Sequence, residues 1–165
     1  MKILVAIDDS EAARKAVAFV GRTLGRSASG DLHVTLLHVV EALPEFLQPR
    51  GRTDEERTAY QKVSETWVRE CREKGEQVLR EQAQALEGSG IPGSCIAVKL
   101  CQREGLPESR RVLAALAIID EMNAQNYDVV VVGRRSNSAA NQSFLGGIAE
   151  KVAREAHGRT LWIVD

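Results

Sequence analysis

Aromatic residues are scarce in this chain, with three Phe, two Tyr and two Trp making up 4% of 165 residues. So few rings argue against a surface on which nucleic-acid bases stack. An excess of one charge is also missing, since 22 Lys and Arg stand against 23 Asp and Glu for a net charge of −1. Without a basic surplus there is no electrostatic footprint for a nucleic acid. The longest apolar run, Val112 to Ile119, is far shorter than the roughly 20 residues that cross a bilayer. Neither nucleic acid nor membrane is therefore an expected partner. The strand-like run Ile3-Leu4-Val5-Ala6-Ile7 starts almost at once, without the pattern of a secretory signal, and a cytoplasmic location is expected.

Cysteine is sparse as well. Three are present, so at least one has no partner within the chain. Cys95 and Cys101 fall on one strand-like segment, roughly 20 Å apart if extended, which is beyond disulfide reach. Cys71 falls on the apolar stripe of a helix. No Cys-x-x-Cys occurs, and His33, His38 and His157 lack ligand spacing. Small buried hydrophobes are the expected role for the cysteines, and no metal site is expected.

What remains is a regular alternation of strand and helix patterns, the mark of an α/β fold with a parallel sheet. Strands are expected over 2–8, 33–40, 95–101, 127–132 and 160–164. The first helix begins near Ser10, carries Ala13, Ala16, Val17, Val20 and Leu24 at helical spacing, and stops at Gly25. Residues 41–52 shift to Pro, Gly and mixed polars, and no regular structure is expected there. Thr53-Asp54-Glu55-Glu56 then makes a capping box for a long helix with the stripe Val63, Trp67, Cys71, Val78, Leu79 and Leu86. A third helix carries Val112, Leu113, Leu116, Ile119 and Met122. A fourth starts at Gly146 and carries Ile148, Ala149, Val152, Ala153 and Ala156. With no internal repeat, residues 1–165 read as one domain with a loop inserted at 41–52.

The most telling stretch is Val129-Val130-Val131-Val132-Gly133-Arg134-Arg135-Ser136, which runs on to Leu145-Gly146-Gly147-Ile148-Ala149. Four β-branched residues in a row predict a strand buried on both faces. A glycine pair at a helix start leaves the first N–H groups uncovered, and those groups with the helix dipole favour an anion such as phosphate.

Three regions together resemble the universal stress protein family. They are the opening Ile3-Leu4-Val5-Ala6-Ile7-Asp8-Asp9-Ser10-Glu11, the run Leu36-Leu37-His38-Val39, and the C-terminal portion from Asp128 through Gly133 and Leu145–Val152 to the strand 161–164. The likeness covers nearly the whole chain. It implies a single open, doubly wound, five-stranded parallel sheet of order 3-2-1-4-5, of the adenine nucleotide alpha hydrolase-like kind. It also implies an adenine nucleotide, ATP with or without a divalent cation, at the crevice where the strand order reverses. By similarity Ile7 and Asp8 meet the adenine and Val39 lines its pocket. Val132, Gly133, Arg135 and Ser136, with Gly146, Gly147, Ile148 and Ala149, surround the ribose and phosphates. Homodimerisation through the apolar last strand at 160–164 is a further implication, with Trp162 as its anchor.

The chain departs from the family's ATP pattern of Gly-x-x-Gly, nine residues, then Gly-Ser/Thr. Ser136 stands where the second glycine belongs, and Gly147 replaces the hydroxyl residue. A lost charge-assisted hydrogen bond costs about 1.5–3 kcal/mol, roughly ten- to a hundred-fold in affinity. Arg134 and Arg135 are candidates to compensate by pairing with phosphate. Plainer roles compete for the same residues: Asp8, Asp9 and Ser10 suit a helix cap, His38 and Val39 suit the core, Arg134 and Arg135 suit a solvated loop, and Gly133 and Gly146 suit turn geometry.

Two functions stay open: a nucleotide-binding regulator, and a dimeric interaction module that has lost ATP binding. No catalytic residues are expected, because no nucleophile–base set, Walker loop or paired carboxylates occur beyond Asp8-Asp9. A phospho-receiver is excluded, because Leu100-Cys101-Gln102 offers no acceptor Asp and Ile163-Val164-Asp165 no Lys.

Overall fold

The computed structural model describes residues 1–27, 31–40, 43–47, 53–102, 110–134 and 147–165. Five strands, β1 (Lys2–Ile7), β2 (His33–Val40), β3 (Ile96–Gln102), β4 (Val129–Gly133) and β5 (Thr160–Val164), form one sheet. Its order is β3-β2-β1-β4-β5, as expected, and every neighbouring pair is parallel. Four helices flank it, α1 (Glu11–Leu24), α2 (Asp54–Gly88), α3 (Arg110–Gln125) and α4 (Gly147–Glu155).

Alternation along the strands builds two cores, one on each face of the sheet. Ile3, Val5, Ile7, Val34, Leu36, Val129 and Val131 join Ala13, Ala16, Val17 and Val20 of α1 and Val78, Leu79 and Leu86 of α2. Leu4, Leu37, Val130 and Val132 point the other way and join Ile118 and Met122 of α3 and Ala149 and Val152 of α4. β4 contributes to both cores, and Val129 through Val132 are all buried, as a central parallel strand requires.

Local signals account for the helix starts. Ser10 caps α1, its Oγ accepting from the Ala13 N–H at 3.2 Å. Thr53 and Glu56 close the expected capping box on α2.

Several expectations are corrected. The segment before α2 is not wholly irregular, since Glu45–Leu47 forms a short 3-10 turn held where the Ser64 hydroxyl donates to the Leu47 carbonyl; residues 41, 42 and 48–52 lie outside the described ones. Cys95 closes a 3-10 turn before β3 rather than starting the strand. Tyr127 precedes β4 and is buried there, its hydroxyl donating to Glu121 at 2.9 Å. On α3 the inward face is Ala115, Ala117, Ile118 and Met122, and Leu116 is exposed. Ala153 of α4 is exposed. Val63 of α2 is 51% exposed, because it lies to one side of the inward face marked by buried Ser64 and half-buried Trp67, Val68 and Cys71. None of the three cysteines forms a disulfide. Among the described residues no helix is long and apolar enough to cross a membrane.

Candidate functional site

The strand order reverses between β1 and β4, and open α/β sheets leave a crevice beyond the strand ends at such a point. β1 ends at Ile7, one residue earlier than expected, and a tied turn follows. The Asp8 carboxylate accepts from the Ser10 N–H at 3.0 Å, and Arg14 donates to the Asp9 carbonyl at 2.8 Å. The Asp9 carboxylate meets Lys74 of α2 at 2.6 Å. Of the triplet, Ser10 takes the helix-cap role, while Asp8 and Asp9 tie the turn where the chain leaves the sheet.

Beneath the turn, His38 Nδ1 lies 3.1 Å from the Ile7 carbonyl oxygen. A carbonyl oxygen has no proton to give, so Nδ1 must carry one and donate it. Burial holds the His38 pKa below its ordinary value, and the bond to Ile7 and the charges of Asp8 and Asp9 offset this in part. Its ring rests against α2 where that helix has Gly75: a Cβ there would sit 2.8 Å from both His38 Cδ2 and Leu100 Cδ1. Gly75 and Lys74 were not singled out from the sequence. A glycine in the middle of a long helix was the available signal, since it weakens the helix unless something approaches closely.

β4 ends at Gly133 against the first turn of α1. A Cβ on Gly133 would lie 2.4 Å from the Ala12 carbonyl oxygen, so packing alone demands glycine there. The Arg134 N–H donates to the Val164 carbonyl at 2.6 Å and its guanidinium pairs with Asp165. The hydrogen bond from Arg134 holds the Asp165 carboxyl below its ordinary pKa. Without a ligand, the Arg134 guanidinium is thus partnered by Asp165.

α4 begins at Gly147, and among the described residues nothing lies within 4 Å of where a Cβ would stand there. Ile148 and Val39 are half-buried and, with Ala6, border the core that holds Val132 and Ala149. The fold thus brings together Val39, Val132, Ile148 and Ala149, with Ile7, Asp8 and Gly133 at the adjoining strand ends. Ile7, Val132 and Ala149 are buried. Arg135, Ser136 and Gly146 lie outside the described residues.

These residues fit an adenine nucleotide. Val39 and Ile148 offer an apolar wall, and the uncovered start of α4 offers N–H groups of the kind that take phosphate. Gly147 keeps that approach open but supplies no hydroxyl. Among the described residues no group of three or more His, Cys, Asp or Glu side chains is placed to hold a metal ion.

The profile of the universal stress protein family matches residues 1–102 and 107–163. A universal stress protein of Methanothermobacter thermautotrophicus is 27% identical over 137 residues, 83% of this chain and 80% of that protein. Two solved structures share the fold. One is a member of the universal stress protein family from Burkholderia pseudomallei, 18% identical with a TM-score of 0.64 over 99% of this chain and 94% of the other. The second is a universal stress protein in complex with cAMP, 17% identical with a TM-score of 0.62 over 100% and 96%.

Proposed function

The chain belongs to the universal stress protein family, and from this premise we propose that it binds an adenine nucleotide, ATP foremost, beyond the β1 and β4 strand ends. In this reading it acts as a stress-response regulator, and binding, not dedicated catalysis, is its task. The observation that carries the proposal is the meeting of Val39, Val132, Ile148 and Ala149 beside the uncovered start of α4. Val39 and Ile148 would hold the base between apolar side chains. The backbone at Ile7 and the carboxylate of Asp8 would read its polar edge and ribose, and the N–H groups from Gly147 to Ala149 would take phosphate. Arg135, Ser136 and Gly146 complete the set that the family resemblance implies.

A structural relative was solved in complex with cAMP, which makes the nucleotide's phosphate number part of the question. Calorimetric titration of ATP, ADP, AMP and cAMP into nucleotide-free protein tests the reading. Saturable binding of at least one supports it, and no heat with any of them at millimolar concentration contradicts it. Two observations favour the second reading, a nucleotide-independent interaction module: Gly147 lacks a hydroxyl, and Arg134 is engaged by Asp165.

The proposal extends to a homodimer in which two copies of β5 pair antiparallel. β5 is a sheet edge without Lys or Pro to block pairing. Thr160 donates to Asp128 and Val164 accepts from Arg134, both on the β4 side; alternation then turns the N–H groups of Leu161 and Ile163 to the open edge. Trp162 is less available as an anchor than the sequence suggested, because its ring stacks edge-on against Phe19 of α1 at 5.4 Å. Ile163→Pro removes an outward N–H and spares the β4 ladder, so it should abolish edge pairing with little loss of stability. An unchanged sedimentation mass would refute the pairing.

A further inference from the structure

The first 21 residues of α2, from Asp54 to Lys74, bury a single side chain, Ser64, whereas the helix beyond them packs on the sheet. At about 1.5 Å per residue this part reaches roughly 30 Å past the point where Gly75 meets His38. One stripe along it has spacings of four and three: Glu56, Tyr60, Val63, Trp67, Glu70 and Lys74. That is the seam spacing by which helices pair. All six are exposed apart from half-buried Trp67, with Tyr60 at 40% and Val63 at 51%. Polar ends flank an apolar centre, and the ends carry unlike chemistry.

We propose that this stripe is a docking surface for a second copy of the same chain, laid antiparallel about a two-fold axis beside residue 65. The charge pattern selects both occupant and direction. In the antiparallel arrangement Val63 of each copy meets Trp67 of the other, Tyr60 faces Glu70, and Glu56 faces Lys74. Every layer is then apolar on apolar, hydroxyl on carboxylate, or opposite charges, and each occurs twice by symmetry. A parallel arrangement would set Glu56 on Glu56, Glu70 on Glu70 and Lys74 on Lys74, three repulsive layers of six. Glu56 also closes its own capping box and Lys74 also meets Asp9. A carboxylate accepts several hydrogen bonds and an ammonium donates three, so both serve two partners. Trp67 and Tyr60 are the residue types that dominate association energies. The surface is separate from the β5 edge and touches the nucleotide crevice only where Lys74 meets Asp9; self-association through it requires neither edge pairing nor a bound nucleotide.

Sedimentation of the full chain tests this. The native protein should associate, and Val63→Glu, at an exposed position where folding is unaffected by circular dichroism, should lower the mass to half or less. A native monomer, or a Val63→Glu mass equal to native, overturns the proposal. The register is tested by mixing. Glu56→Lys alone and Lys74→Glu alone each place like charges in two layers and should dissociate this contact. Mixed together they form a hetero-pair in which both layers are again opposite charges, and association should return. The structural loss each variant carries persists in the mixture, so recovery reports the interface alone. Failure to recover overturns the antiparallel seam.

Discussion

α2 is one helix of 35 residues living in two environments. From Gly75 onward it buries Val78, Leu79, Gln82 and Leu86 against α1 and the sheet; before Gly75 only Ser64 is buried. The buried face continues into the upper half through Ser64, Trp67, Val68 and Cys71, with Val63 to one side of it; the lower half packs on the sheet, whereas the upper half meets the short turn at Glu45–Leu47. Periodicity thus reports which residues share a face of a helix. Where the opposing surface ends is set by the strands, here by β2 and β3, which stop at Val40 and Gln102, two residues beyond the His38 and Leu100 that meet Gly75.

The largest contrast should come from equal truncations in the two halves. Leu86 is wholly buried, and Leu86→Ala should cost about 2–5 kcal/mol. Val63→Ala, in protein diluted to its monomer, should stay within about 0.5 kcal/mol. Chemical denaturation followed by circular dichroism measures both, and equal losses would break the comparison.

The boundary itself comes next. Gly75→Val would drive a side chain into His38 and Leu100, and overpacking of this kind costs about 1–3 kcal/mol despite any relief of the glycine's helix penalty. A neutral or stabilising result would mean that α2 is not seated at this point.

The smallest effect concerns pH. The groups facing His38 are the Ile7 carbonyl, Asp8, Asp9 and Lys74, and burial outweighs the acidic pair to depress its pKa below about 6.5. The folded protein therefore binds fewer protons at this ring than the unfolded chain once the pH falls below about 6.5, and stability drops as the pH falls from there toward the depressed folded value. Above that range both states are neutral and the ring adds no slope. His38→Asn keeps an N–H for Ile7 but does not titrate, so its stability should fall less steeply on acidification, read from denaturant midpoints on either side of pH 6.5. An unaltered slope would show that His38 is not the titrating group.

Much of the fold was legible beforehand. Each strand and helix was foreshadowed by local pattern, the caps at Ser10 and Thr53 by residue type, and the sheet order by family likeness. What local pattern did not announce lies where a contact joins segments distant in sequence. Gly133 packs on the Ala12 carbonyl, and Arg134 pairs with Asp165. Val63 lies to one side of the face its helix buries, and Leu116 and Ala153 lie on stripes that extend beyond their cover. Of the candidate site, the strand ends and the start of α4 were readable because glycine and β-branched residues mark them. Lys74 was missed, since a helix so far along the chain gives no local sign that it reaches the end of β1, and for Gly75 the sole signal was a glycine in mid-helix.

The most direct test of the account is a methyl NMR titration of the full chain with ATP. The site proposed here predicts saturable shifts of the Val39 and Ile148 methyl signals while those of Val63, on the projecting half of α2, stay in place. Unmoved Val39 and Ile148 signals at millimolar ATP, or shifts centred on Val63, would contradict it.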